Sequence, residues 1–162
     1  MFHEAKVRPP NGIPSGIPIF LQAIAYENSL YPAPPGQDLR HELEAFAASS
    51  QLSAAAIVTC VGSLTVAALR FASRSGTDHV PGPLEITSLV GTFSVYGSHF
   101  HLTVADADGK AFEGHLQEGS IVRTTAEVVI LAMEDVAFLR ETDQETGYRE
   151  LKIEPLDSSR TH

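Results

Sequence analysis

The sequence has little sulfur, with a single cysteine, Cys60, among 162 residues. One cysteine excludes an internal disulfide, and a lone thiol favours a reducing compartment, so we expect a cytoplasmic protein. Cys60 lies in the apolar run Ala54–Val61, where a thiol is expected to pack as a small hydrophobic group. A nucleophilic role is the alternative that the sequence leaves open.

Long apolar runs and a secretory leader are also missing. No stretch is long enough to cross a bilayer, and the start of the chain lacks a basic region followed by an apolar core. We therefore expect no membrane partner.

Basic residues are scarce. The chain has 11 Lys and Arg against 20 Asp and Glu, a formal net charge of −9. The basic residues are scattered, whereas nucleic-acid binders usually carry a basic stripe. The charge therefore argues against a nucleic-acid partner.

The remaining composition is that of one globular domain, with 43% hydrophobic and 19% charged residues. Residues 1–16 are rich in proline and glycine and are interpreted as an irregular arm. Residues 17–155 are predicted to form the domain, and residues 156–162 a polar tail.

One helix is predicted after the proline-rich loop at residues 32–36. Asp38 can cap it by accepting backbone N–H bonds. Apolar residues follow at helical spacing, and the helix is expected to fade near Ser49–Gln51. The residues of the stripe are Leu39, Leu43, Phe46 and Ala47.

Nearly everything else has strand patterns. The predicted strands are Ile17–Tyr26, Ala54–Val61, Leu64–Phe71, Leu84–Tyr96, the two sides of a hairpin at residues 99–116, Ile121–Thr125, Ala126–Met133, Ala137–Arg140 and Glu150–Ile153. Gly62-Ser63 is read as a break, and Ser73–Pro83 as a loop. The predicted fold class is α+β, with one main helix packed on a large, mostly antiparallel sheet.

Three histidines of the hairpin carry the most specific chemistry. His99 and His101 share a strand face because side chains alternate. If the loop is the three residues Ala107 to Gly109, with Gly109 in the left-handed position, His101 lies opposite His115. Three converging imidazoles can hold a divalent metal with an open position.

Two alternatives stay open at this point. A two-residue loop, Asp108-Gly109, would shift the register by one and turn His115 to the other face. His-x-His on a strand can also be a solvated face without a metal.

Several motifs in order resemble the PPC domain, the domain conserved in plants and prokaryotes, over residues 18–153. The matching pieces are Pro35-Gly36-Gln37-Asp38-Leu39, Gly62-Ser63-Leu64, Leu84–Thr92, His99-Phe100-His101-Leu102, Asp108-Gly109, Gly114-His115-Leu116, Thr124–Val129 and Thr146-Gly147-Tyr148. The resemblance implies a homotrimer with a divalent metal, expected to be zinc, on His99, His101 and His115. Plant members carry an Arg-Gly-Arg-Pro hook for AT-rich DNA, which is missing here.

The fold also resembles that of α-acetolactate decarboxylase, a zinc enzyme with a His-x-His pair and a later histidine. Only those three positions match, so the likeness supports metal chemistry without naming a substrate.

Two further residues are candidates near the site. Glu85 lies inside an apolar strand pattern and could accept a bond from a histidine N–H or act as a general acid or base. Arg70 ends an apolar strand and could clamp a small carboxylate. The structural alternatives are ion pairing of Glu85 or Glu127 with Arg70 or Arg123, and an interface role for Arg70.

The sequence is compatible with three candidate functions. The first is a homotrimeric binding or regulatory protein with a metal site and a small-molecule ligand at the metal. The second is a metal-dependent lyase or hydrolase acting on a small oxygenated metabolite. The third is DNA binding, which the net charge and the missing hook disfavour.

Overall fold

The computed structural model describes residues 22–24, 36–133 and 135–156. The predicted arm at 1–16, most of the predicted strand Ile17–Tyr26, the start of the 32–36 loop and most of the tail lie outside these residues. The elements are β1 (Gln22–Ile24), α1 (Leu39–Ser49), β2 (Ala54–Arg70), β3 (Asp78–Ser94), β4 (His99–Ala105), β5 (Ala111–Leu116), β6 (Ile121–Ala132), β7 (Val136–Thr142) and β8 (Arg149–Pro155). One helix with antiparallel strands confirms the predicted α+β class.

The main sheet has the strand order β1-β6-β2-β3-β4-β5, and β5 returns to pair with the end of β2. Leu69 lies opposite Leu116 and Arg70 lies opposite His115. Strands β2, β3, β4 and β5 therefore form a closed ring. Its inward side chains supply much of the core and include Leu69, Leu84, Leu89, Phe93, Phe100, Leu102, Val104 and Leu116, all at most 2% exposed.

Helix α1 begins where the sequence predicts. The Asp38 carboxylate accepts the backbone N–H groups of Arg40 (2.9 Å) and His41 (3.1 Å). This cap satisfies two donors that the first turn leaves unpaired. Leu39 and Leu43 are buried in the core, so the predicted apolar stripe is confirmed as packing.

Two predictions about strand ends are wrong. Strand β2 runs through Gly62-Ser63 with a register shift against β6 after Gly62, so the expected break is a bulge. The predicted loop Ser73–Pro83 is shorter, because β3 already begins at Asp78. Pro81 pairs with Val66 beside another register shift, and an interrupted ladder tolerates a proline.

Strands β7 and β8 form a separate hairpin, as the predicted short strands indicate. Its position is fixed by backbone bonds at Phe138, whose N–H donates to the Ser53 carbonyl and whose carbonyl accepts from Val95 N–H, both at 2.9 Å. These bonds hold β7 beside the end of β3. No helix among the described residues is long and apolar enough to span a membrane.

Strand β3 touches β4 closely at Gly91, which gives a stability prediction. A Cβ at Gly91 would lie 2.2 Å from the His99 carbonyl oxygen and 2.8 Å from the Phe100 Cα. Backbone atoms cannot yield cheaply, so Gly91→Ala is expected to cost about 2 kcal/mol or more of the free energy of unfolding. Urea denaturation measures this, with Gly76→Ala as the control because nothing lies within 4 Å of its Cβ position. Equal stability of the two variants would contradict the close approach.

Candidate metal centre

The β4–β5 turn sets the geometry of the site. Gly109 has φ 77°, and its N–H donates to the Asp106 carbonyl at 3.0 Å. The Asp106 N–H donates to the Lys110 carbonyl at 3.0 Å, and the Asp106 carboxylate accepts the Asp108 and Lys110 N–H groups at 3.0 and 2.9 Å. Ala105 lies opposite Ala111. The loop is therefore the three-residue form, closed by the Asp106 side chain.

This register places His101 directly opposite His115. The neighbours Phe100, Leu102 and Leu116 point inward and are at most 2% exposed, so the alternating histidines point outward. The shifted register, with His115 on the other face, does not occur.

The three imidazoles converge as the sequence predicts. His99 Nε2 lies 3.1 Å from His115 Nδ1 and 3.3 Å from His101 Nε2. All candidate ligand atoms of the cluster lie within 4.8 Å of one another. A tetrahedral ion with bonds of about 2.0–2.1 Å needs donors roughly 3.3–3.4 Å apart. The three residues therefore fit a divalent cation in donor type, and the two pairs that involve His99 have nearly the required spacing.

The surroundings favour the neutral form of two of the rings, those of His99 and His115. Loss of solvent contact, followed by the nearby charges of His101 and Arg70, lowers the pKa of His115 from 6.5 to about 4. Loss of solvent contact and then the Arg140 guanidinium also lower the pKa of His99, while Glu150 acts in the opposite direction. Metal ions bind the neutral imidazole, so both rings are in the binding form at neutral pH.

Of the two other candidate site residues, Arg70 lies beside the histidine cluster and Glu85 does not. Arg70 lies opposite His115 on β2, next to the cluster. Glu85 is exposed and pairs with Ala105 at the far end of β4, so its backbone lies roughly 13 Å from that of His101 at strand spacing. Within this chain Glu85 does not join the histidines.

The structure also shows the surroundings of the two glutamates and of the single thiol. Glu127 is exposed, and no ion pair joins Glu85 or Glu127 to an arginine within the described residues. Cys60 is 4% exposed, and burial raises the pKa of its thiol to about 12. It packs as a small hydrophobic group and is not an activated nucleophile.

A cavity of about 310 Å³ beside the cluster was not predicted. It is lined by Arg40, Tyr96, Ser98, His99, Arg140 and Arg149. These residues come from the helix, the β3–β4 connection, the start of β4 and the β7–β8 hairpin. Strand patterns predict each element but not how the hairpin docks, so only His99 carried a signal in the sequence.

The sequence model of the Plants and Prokaryotes Conserved (PCC) domain matches residues 32–134. The chain belongs to this family. The match confirms the resemblance to the domain abbreviated PPC above.

Two solved structures are similar to this PCC domain. A hypothetical protein from Salmonella cholerae-suis is 42% identical, with a TM-score of 0.73, over 75% of this chain and 88% of that one. The "metal-containing protein AF0104" from Archaeoglobus fulgidus is 25% identical, with a TM-score of 0.62, over 75% and 90% of the two chains.

A curated relative is much longer than this chain. The "Bifunctional protein GlmU" of Synechococcus sp. strain JA-2-3B'a(2-13) is 44% identical over 122 residues, which is 75% of this chain but 19% of GlmU. The chain therefore spans about a fifth of that protein, too little to transfer its activity.

The lowered histidine pKa values predict acid sensitivity of the metal-free protein. Below pH 6.5 the unfolded chain protonates at the ordinary histidine value, whereas folded His115 resists protonation down to about pH 4. The unfolded state then binds more protons, so stability falls as the pH drops from 6.5 towards 4.

Melting temperatures in EDTA across this window measure the effect. His115→Gln is expected to flatten the pH dependence, whereas His41→Gln, at an exposed position on α1, leaves it unchanged. An identical slope in all three proteins would contradict the lowered pKa.

Proposed function

We propose that this PCC domain binds one divalent metal ion through His99, His101 and His115. The observation that carries the proposal is the 3.1 and 3.3 Å spacing of ring nitrogens on a register fixed by the turn. The relative from Archaeoglobus fulgidus is described as metal-containing, which supports the same role here.

Zinc is the proposed ion. Imidazole donors suit zinc, copper, iron and nickel, and three histidines with an open position are a frequent zinc arrangement. The ligand group among the described residues contains the three histidines and no nearby fourth His, Cys, Asp or Glu. An open position is therefore part of the proposal.

The open position favours a role in binding a small molecule, in a binding or regulatory protein. A bound zinc ion would supply a Lewis acid and could lower the pKa of a coordinated water to about 7. The three histidines hold the ion on the rigid ring of strands. Arg70 and Arg140 add positive charge beside His115 and His99, which favours an anionic ligand.

A second candidate is a metal-dependent lyase or hydrolase on a small oxygenated metabolite. The same open position and the cavity beside His99 favour it. A fourth protein ligand completing the metal shell would remove this candidate, because the ion would then be structural.

DNA binding is the weakest of the three functions. A structural neighbour from Bacteroides thetaiotaomicron has a description that proposes DNA binding, but at 20% identity it shows the fold alone. A formal net charge of −9 opposes contact with phosphates at long range.

We also propose a homotrimer, as the family resemblance implies, located in the cytoplasm, which the single cysteine favours. Two valines on the middle of β2, Val58 and Val61, are 60% and 56% exposed in the single chain. Association would remove such apolar surface from water.

The metal proposal is tested on protein purified without a histidine tag. Elemental analysis is expected to give about one equivalent of metal per chain, and His101→Ala is expected to lower this below about one-tenth because two imidazoles alone hold the ion weakly. His41→Ala, outside the cluster, is the matched control and should retain the metal. Wild-type protein that stays empty after incubation with zinc would overturn the site.

The oligomer is tested by light scattering coupled to size exclusion. The expected mass is about three times the 17.4 kDa of one chain. A single-chain mass at high protein concentration would refute the trimer while leaving the metal proposal intact.

A further inference from the structure

The cavity beside the histidine cluster is lined by several positively charged side chains, although the chain as a whole is acidic. Arg40, Arg140 and Arg149 line it together with His99, in a protein with a formal net charge of −9. His99 also belongs to the histidine cluster, so the cavity and the proposed metal share one wall.

Strand register brings Arg140 and Arg149 together. Arg140 lies opposite Leu151 in the β7–β8 hairpin, and Arg149 is two residues from Leu151 on the same face. Diagonal neighbours of this kind lie roughly 7–8 Å apart at the backbone, which long side chains can bridge. The Arg149 Nη2 donates to the Arg140 carbonyl at 3.0 Å and so joins the two residues directly.

Both guanidinium groups are held in place. Arg140 Nη2 donates to Thr92 Oγ1 at 3.0 Å, and Thr92 pairs with His99 across β3 and β4. The Arg149 guanidinium carbon lies 5.9 Å from the centre of the Tyr96 ring. Positioned side chains lose less conformational freedom when a ligand binds.

These two charges are not neutralised by an ion pair within the described residues. The salt bridges found there do not include Arg140 or Arg149. Arg40 differs, because its guanidinium contacts Glu44 at 3.0 Å and donates to the Leu116 carbonyl at 2.7 Å. Glu150, whose charge reaches His99, is the acid nearby, and its carboxylate accepts the Thr146 hydroxyl.

We propose that this cavity binds a small oxyanionic molecule, with its carboxylate or phosphate group on Arg140 and Arg149 and its remainder directed towards His99. Guanidinium groups form strong paired hydrogen bonds with either anion. A volume of about 310 Å³ is at the lower end of small-molecule sites, which favours a metabolite of few atoms. The placement of the remainder at the metal rests on the proposed function, whereas the arginine contact does not.

The test uses calorimetric titration of the full chain with two probes, malonate for a carboxylate and inorganic phosphate for a phosphate group. It runs in low-salt buffer free of other oxyanions, since added ions screen exposed charges. Protein stripped with EDTA and protein loaded with zinc are compared, so that the arginine site and the metal are examined separately. Arg149→Gln and Arg140→Gln are the site variants. Arg74→Gln is the matched control, because Arg74 pairs with Asp78 at an exposed position outside the cavity lining.

At least one probe is expected to bind the stripped protein, with affinity at least about fivefold weaker in both site variants and unchanged in Arg74→Gln. The tighter probe identifies the anionic group. In labelled protein the His99 ring resonances should shift during titration, because His99 lines the same cavity.

The opposite results would overturn the proposal. These are no binding of either probe to stripped protein at about 10 mM, or equal weakening by Arg74→Gln. If zinc is not taken up while the arginine-dependent binding persists, the proposed metal function fails and the oxyanion site stands. Tighter binding after zinc loading supports the shared ligand, and unchanged binding refutes that link alone.

Discussion

The register of the β4–β5 hairpin is the constraint on which the site depends. The Asp106 carboxylate and Gly109 close a three-residue loop, and that loop length decides which residues face each other. A slip by one residue would turn His115 into the core and expose Leu116, now 0% exposed. The apolar core therefore enforces the same register that brings the imidazoles together, and neither can change without the other.

Ring closure gives this hairpin its rigidity and its charged neighbours. Strand β5 pairs with β4 on one side and with the end of β2 on the other, so His115 stands in a strand held at both edges. The same pairing places Arg70, which is far from His115 in sequence, beside the cluster. The β7–β8 hairpin delivers Arg140 through the Phe138 bonds. Local turn chemistry brings the three histidines together, and long-range strand pairing determines the charges around them.

This division explains what the sequence could predict. The Asp38 cap, the stripe on α1 and the histidine convergence follow from local periodicity and turn residues, and the structure confirms each of them. The early start of β3 does not follow from its own residues, because its prolines suit a loop and only the pairing with β2 shows where the ladder tolerates a proline. The pattern of its own strand makes Glu85 a candidate, but the register pairs it with Ala105, away from the histidines of the same chain.

The charges around the cluster set up a coupling between cation and anion. Arg140 and Arg70 favour neutral imidazoles at His99 and His115, which prepares the donors for a metal. The same guanidinium groups repel the incoming cation, and the oxyanion proposed on Arg140 and Arg149 would offset the part of that repulsion that comes from Arg140. If both proposed ligands bind, each should therefore strengthen the affinity for the other by the same factor, because coupling between two binding equilibria is reciprocal. An arginine-lined cavity beside the histidine cluster thus favours joint occupation over either ligand alone.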